Sequence, residues 1–557
     1  MKSDLEIARA TTLEPIETVA ERIGIKPGEL IPWGRHKSKV SPAIWERVQD
    51  NPDGRLILVT TITPTHEGEG KTTVTIGLAQ ALARLGKKTA LAIREPSLGP
   101  TMGVKGGGTG GGYSQVLPME DVNLHFTGDL SAITGAHNLL SAMLDNHIYH
   151  GDAFHIDPRY IVWPRVLDMN DRNLRNTVVG LGRPADGIPH QDSFSITAAS
   201  EVMAILCLSQ SIDELKQRLS RIIAAYTYEE EPVTAADLNA VGAMAMLLRD
   251  ALRPNLVQTV EHVPAFVHGG PFANIAHGTN SLMATRLGLK LADYFVTEAG
   301  FGSDLGAEKF FDIVCRQGLS PDAAVMVVSI RALKVHGGMS QEDAQAGRPD
   351  REAVRRGLAN LEKHVENVSA FNVPVVVALN RFTGDADGEV AVVEGYCEQQ
   401  GLPFAVADVW AEGGEGGVEL AGKVVDVIHN TAAKLSYLYE PEMDVKDKIE
   451  TIARRMYGAE KVVYTVTAED DLRIIKKLGL DDLLICMAKT PYSLSDDASL
   501  KGRPEDFKVT IKQIRISAGA GFLVPITGKI TTMPGLPVRP AAENMDLDSD
   551  GTMHGLF

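Results

Sequence analysis

The chain has 557 residues, 44% hydrophobic and 23% charged, which suits a folded globular protein that buries its own core without disulfide staples. A formal net charge of −17 disfavours a general nucleic-acid role, because an acidic surface repels a phosphate backbone; a local basic pocket can still hold an anion. No run of about 20 apolar residues occurs, so no membrane-spanning helix is expected. The four cysteines, Cys207, Cys315, Cys397 and Cys486, are far apart and form no C-x-x-C pair, and the polar start has no secretory pattern. A reducing, cytoplasmic setting without zinc is the expectation.

The length suggests three or so compact units. After a polar, helix-rich lead-in of about fifty residues, 56–61 (Leu-Ile-Leu-Val-Thr-Thr) reads as a buried parallel strand. A glycine-containing loop follows, then a helix over 72–85 rich in alanine and leucine, ended by Gly86. Residues 89–93 form the next strand, completing a βαβ unit. From 120 to about 290 the chain is mainly helix-like, with helical periodicity over 198–208 and 235–252. Buried-strand runs return at 324–330, 373–379 and 404–407, and the tail from 531, rich in proline, methionine and glycine, reads as an extended surface segment. The expected fold is α/β: a P-loop nucleotide-binding parallel sheet with additional helical and smaller α/β domains. Its division is 1–365, with the helical insertion at about 120–290, and 366–557, an α/β region contributing a second substrate site. Ligands in such a sheet bind beyond the carboxyl ends of the strands.

The strongest local motif is Thr65-His66-Glu67-Gly68-Glu69-Gly70-Lys71-Thr72, which fits G-x-x-x-x-G-K-[ST] except that Thr65 replaces the first glycine. Backbone N–H groups of such a loop cradle phosphate oxygens at the positive end of the following helix. Lys71 is placed to reach the β- and γ-phosphates and the Thr72 hydroxyl to hold Mg²⁺. Arg94 ends the second strand close to that loop, and its guanidinium can bind a carboxylate or phosphate in bidentate fashion. A surface ion pair is the alternative reading. Residues 103–113 hold seven glycines in eleven positions, framed by Lys105 and Tyr113, which permits close backbone approach and precludes a stable helix or strand interior.

From here the sequence resembles the formate–tetrahydrofolate ligase family. The resemblance rests on 65–73, 94–100, 103–113, 118–129 (PMEDVNLHFTGD), 298–304 (EAGFGSD), 328–338 (VSIRALKVHGG), 409–417 (VWAEGGEGG), 488–494 (AKTPYSL) and 533–537 (MPGLP), in family order. Departures fall at Gly108 and Thr109, where the family usually has alanines, at Thr383, where it has proline, and over 182–195, including Ser195, where it carries more charge.

The resemblance implies that ATP phosphorylates formate to formyl phosphate, and that an amine of tetrahydrofolate then takes the formyl group, giving 10-formyltetrahydrofolate, ADP and phosphate. It implies ATP with Mg²⁺, a monovalent cation (K⁺ or NH₄⁺), and a homotetramer. It assigns catalysis to Lys71 and Arg94, the latter holding formate and then the mixed anhydride. Glu95 and Asp129 are expected to orient folate or a metal, Tyr113 to close over the intermediate, Phe301 to lie near the nucleotide or the intermediate, and Phe382 and Trp410 to sandwich the pterin ring, as flat aromatic ligands favour. His262, His268 and His277 lack an H-E-x-x-H spacing and read as structural. Two rivals are a P-loop ATPase switch acting on a partner, which would share Lys71 and Thr72 but not need Phe382 and Trp410, and a nicotinamide-dependent folate dehydrogenase, which would need a G-x-G-x-x-G directly after a strand.

Overall fold

The computed structural model of the chain describes residues 2–104, 108–528 and 530–556. Its strands include β1 (Arg55–Thr61), β2 (Thr89–Ile93), β3 (Asn255–Thr259), β4 (Pro264–Val267), β5 (Tyr294–Gly302), β6 (Ala323–Val328), β7 (Val375–Asn380) and β8 (Phe404–Ala407). These lie side by side in one 12-stranded sheet in the order β3-β4-β2-β5-β1-β6-β7-β8. From β4 to β8 all neighbours run parallel. Strand β3 is antiparallel to β4 and leads to the short edge strands Ser38–Val40 and Leu30–Pro32. The molecule is thus mixed α/β with a large, mainly parallel sheet.

Both faces of that sheet are covered, which is why its strands read as unbroken apolar runs. Leu56 and Leu58 of β1 point into one core with Ala90, Phe295, Met326 and Val377; Ile57 and Val59 point into another with Leu91, Val296, Val325 and Val376. Helix α1 (Lys71–Arg84) supplies Val74, Ile76 and Leu78 to the second core. It begins one residue before the expected start, and Gly86, at φ 75°, follows its C-cap as expected. Helix α2 (Asp129–Tyr149) starts the insertion, α3 (Ile330–His336) follows β6, and α4 (Arg351–Ser369) packs its buried Leu358 and Leu361 into the first core.

Expected strands 56–61, 89–93 and 404–407 appear as β1, β2 and β8. The run at 324–330 stops at Val328, because Ser329 caps α3 through its Oγ, which accepts from the Ala332 amide at 3.1 Å. The sheet crosses the boundary expected at 365/366, because β7 and β8 pair in parallel onto β6. The C-terminal unit has its own four-stranded sheet of β9 (Lys461–Tyr464), β10 (Leu484–Ile485), β11 (Lys508–Ser517) and β12 (Phe522–Thr527). The 120–290 region is less helical than expected. Besides α2 and five shorter helices it holds short strands such as Ile156–Ile161 and Ile223–Thr227, and its last part supplies β3 and β4 to the main sheet. Those segments are too short, or too rich in Asn, Gln and Pro, to announce a buried strand. The tail lies across the insertion as an extended segment: Thr532 accepts from the Ile196 amide at 2.8 Å and Met533 from Arg175 at 2.9 Å.

Asp129, expected to orient folate or a metal, is committed elsewhere. Its carboxylate takes the buried Lys39 ammonium at 2.8 and 3.0 Å and the Asn255 amide at 2.8 Å. Thus the first residue of α2 is tied to an edge strand and to β3. Buried ionised groups need such full pairing, so this side chain anchors the insertion rather than facing a ligand. Replacing it, as in Asp129→Ala, strands the Lys39 charge and is expected to cost about 3–5 kcal/mol in unfolding free energy by denaturant titration.

Candidate active site

The remaining candidates collect along the carboxyl edge of the parallel strands. Residues 62–70 follow β1, Arg94 and Glu95 follow β2, Phe301 lies at the end of β5, Phe382 follows β7, and Trp410 lies in the short helix α5 (Val409–Glu412) after β8.

The 65–72 loop is braced from within. Glu69 is buried, and its Oε1 accepts from both the Thr65 amide (2.7 Å) and the Thr65 hydroxyl (2.8 Å), while its Oε2 accepts from Ser329. Position 65 does not require glycine: the Thr65 backbone stays outside the left-handed region, and its hydroxyl helps close the loop. Gly70 does require glycine. Its φ is 69°, and a Cβ there would lie 2.2 Å from the Asn380 amide nitrogen, which donates to the Glu69 carbonyl at 2.9 Å. Gly68 also has positive φ (79°). His66 packs its ring 4.1 Å from that of Tyr492, while Glu67 is exposed and meets Gln341.

Just upstream, Thr63 is held by two buried histidines: its Oγ1 contacts His364 Nε2 at 2.8 Å and its carbonyl contacts His336 Nε2 at 2.8 Å. Burial lowers these imidazoles to about 3 and about 4 respectively, so both stay neutral near pH 7.

Lys71 and Thr72 open α1 and converge on one acceptor, Glu298 Oε2 of β5, which takes a bond from the Lys71 ammonium and one from the Thr72 hydroxyl at 2.9 Å. Burial lowers Lys71 to about 8, Glu298 partly offsets this, and Arg94 adds to the lowering. Burial raises the Glu298 carboxyl, but Lys71 and Arg94, with the bonds from Lys71 and Thr72, outweigh it and hold it below the usual carboxylate range. Arg94 has a single long contact, to the Pro271 carbonyl at 3.4 Å, and its buried Nε has no partner among the described residues. A buried guanidinium nitrogen without a partner among the described residues is uncommon in a folded protein.

Glu95, next to it, is buried, and its carboxyl stands well above the usual range because of burial and then the nearby Asp129 and Asp168, with Lys39 opposing. Phe301 is half-buried at φ 60°, a left-handed conformation that costs a bulky residue roughly 1–3 kcal/mol and clusters at functional sites. It is joined to Gly300, where a Cβ would come 3.2 Å from Arg94 Nη1.

Phe382 and Trp410 are both half-buried, after adjacent strands. Phe382 lies beside the loop, 3.8 Å from where a Gly70 Cβ would sit, and the Arg331 guanidinium covers its ring at 3.7 Å. Trp410 backs onto the described end of the glycine run: a Cβ on Gly112 (φ 58°) would lie 2.0 Å from the Trp410 carbonyl, and the Tyr113 amide donates to that carbonyl at 2.9 Å. Tyr113 is itself exposed; Lys105, Gly106 and Gly107 lie outside the described residues. Of the departures from the family pattern, Thr109 is buried and Ser195 bonds Thr532 of the tail at 3.1 Å. Among the described residues no group of three or more His, Cys, Asp or Glu side chains is arranged to hold a metal ion. His268 is buried between Ser281 and the Ala251 carbonyl.

Sequence reasoning gave no role to Glu298, Asn380 or Ser329. Glu298 had a signal: a lone acid directly after the Tyr-Phe-Val-Thr run at 294–297. Asn380 and Ser329 had none beyond ending apolar runs.

The fold and this edge define a doubly wound α/β protein whose strand ends gather a lysine, an arginine and a carboxylate beside two aromatic rings. The chain belongs to the formate–tetrahydrofolate ligase family, whose sequence model matches residues 2–557. It is accordingly an ATP-dependent ligase that joins formate to tetrahydrofolate, an activity of one-carbon metabolism.

Lys71 supplies the pH test. Because its pKa is lowered, its charge is lost as pH rises through about 8 instead of near its ordinary value. The ratio kcat/KM for ATP is expected to fall above about pH 8, and Lys71→Arg, which stays charged, to show a lower but flat alkaline limb in initial-rate measurements.

Proposed function

We propose that the 65–72 loop binds MgATP as a P-loop and that the reaction runs through formyl phosphate. A formate oxygen attacks the γ-phosphorus, the bond to the ADP oxygen breaks, and formyl phosphate remains in place. The tetrahydrofolate amine then attacks the formyl carbon, phosphate leaves, and the amine proton is lost, giving 10-formyltetrahydrofolate. The observation that carries this reading is the convergence of Lys71, Thr72 and Arg94 around Glu298 at the carboxyl edge of the sheet.

The roles follow from charge and geometry. The amides of the glycine loop and the start of α1 receive phosphate oxygens. Lys71 neutralises charge on the transferred group. Arg94, with its open guanidinium edge, holds formate and then the mixed anhydride. Oxygen donors suit Mg²⁺, which Thr72 would hold and which would draw charge from the phosphate oxygens. Phe382 and Trp410, at neighbouring strand ends, offer the pterin aromatic faces, and Tyr113 with Phe301 shields the intermediate from water. Glu95, a buried acid next to Arg94, orients the folate side of the pocket. K⁺ or NH₄⁺ as activator and assembly into a homotetramer, which rest on family likeness, and a cytoplasmic setting, which rests on the scattered cysteines and the polar N-terminus, complete the reading.

The experiment is direct. Protein is mixed with MgATP, formate and tetrahydrofolate, and product is followed by absorbance after acid conversion. Formate-dependent product formation is expected; ATP hydrolysis that ignores formate, without folate product, would instead favour an ATPase switch. Trp410→Ala is expected to raise KM for tetrahydrofolate about tenfold, the size of a lost stacking contact, and to leave KM for ATP nearly unchanged.

A further inference from the structure

Asp4 is far from Trp410 in the chain and beside it in space. It belongs to the short helix Asp4–Ala10, whose buried Leu5 packs with Leu117 and Met119. The buried Gln115 ties this helix to the end of the glycine run: its Nε2 donates to the Asp4 carbonyl at 2.9 Å and to the Gly112 carbonyl at 2.7 Å. The half-buried Asp4 carboxylate therefore has a fixed place. Its Oδ1 accepts from the Gly112 amide at 2.8 Å. Its Oδ2 lies by the nitrogen edge of the Trp410 indole: a Cβ on Gly111 would come 2.9 Å from that oxygen and 3.2 Å from Trp410 Nε1. Only glycine at 111 lets the carboxylate and the indole approach so closely. Among the described residues Oδ2 accepts no hydrogen bond and Asp4 joins no ion pair. Glu261, which approaches the 413–414 turn, is committed to Arg84 at 2.7 Å and to the Gly414 amide at 2.8 Å.

We propose that Asp4 is a specificity-determining residue for the pterin: its carboxylate accepts from the N3–H and the 2-amino group of the ring that stacks on Trp410. This rests on the reading of Trp410 as a pterin-stacking residue. The pyrimidine half of a pterin carries those two donors side by side, in the ring plane, on one edge. A ring laid on the indole brings its own edge to the indole's rim, and Asp4 is an acid at that rim. Each carboxylate oxygen has two lone pairs, so Oδ1 can keep the Gly112 amide and still take a second donor. Paired, planar bonds to a charged acceptor are stronger and more directional than neutral ones. A carboxylate without a proton offers no donor, so it matches an edge made of donors and leaves an analogue lacking one of them poorly held.

The test separates recognition of the ring edge from support of the turn. Tetrahydrofolate and its 2-desamino-2-methyl analogue, which keeps the ring but lacks the amino donor, are titrated anaerobically into the full chain by calorimetry. The wild type is expected to bind the analogue about tenfold more weakly, the size of a lost hydrogen bond to a charged group. In Asp4→Asn, tetrahydrofolate affinity is expected to fall by about the same factor, while affinity for the analogue changes less than about threefold, so that the preference nearly disappears. Affinity for ADP is expected to stay as in the wild type. A role confined to pinning the 111–112 turn beside Trp410 would weaken both folates alike. That result, or equal binding of the two folates by the wild type, overturns the inference; if Asp4→Asn does not fold, the wild-type comparison alone decides. Trp410→Ala tests the underlying reading separately: unaltered affinity for both folates would remove the stacking site itself, whereas failure of the Asp4 result alone would leave it standing.

Discussion

Parallel strands place all their carboxyl ends on one edge, and this molecule depends on that constraint. The loop after β1, the arginine after β2, the carboxylate near the end of β5 and the aromatic residues after β7 and β8 come from positions more than 300 residues apart in the chain. Only the common direction of the strands brings them together. Because both faces of the sheet are buried, the register of β1 against β5 and β6 cannot slip without turning Ile57 and Val59 into the wrong core. The same packing that stabilises the fold therefore holds Glu298 at its place beside Lys71.

The site is pre-assembled by internal pairing. Glu69 closes the loop on Thr65, Asn380 holds the Glu69 carbonyl, and Glu298 holds the lysine and threonine. The Thr65–Glu69 and Asn380–Glu69 bonds are buried and those to Glu298 part-buried, where hydrogen bonds are stronger and unpaired groups cost more than in water. Arg94 is the exception: among the described residues its buried Nε has no partner, while Lys71 beside it is paired.

The C-terminal unit is tied to this edge by charge as well as by packing. Lys489 and Asp304 pair at 2.7 Å, both essentially buried, and His336 accepts from the Gly502 amide at 3.1 Å while its other ring nitrogen contacts the Thr63 carbonyl. The segment carrying Tyr492 thus reaches His66 in the loop. Residues that sequence places in separate units thus meet beside the 65–72 loop.

The sequence by itself determined the βαβ start, the glycine loop with Lys71 and Thr72, the arginine at the end of β2 and the family, because these depend on local pattern: an apolar run, a glycine needing positive φ, a helix that follows. It did not reveal β3, β4 and β5, whose Asn255, Gln258 and Glu298 interrupt the apolar texture while being buried and paired. Tertiary structure decided three further matters. Asp129 neutralises Lys39 instead of meeting a ligand, Thr65 is completed by Glu69, and Glu298 joins the lysine and threonine. Each outcome turns on which opposite charge or donor lies within about 3 Å; the Thr65–Glu69 bond closes within one loop, whereas the other two distances join residues far apart in the chain and are set by the packing of strands and helices, which no local sequence pattern encodes.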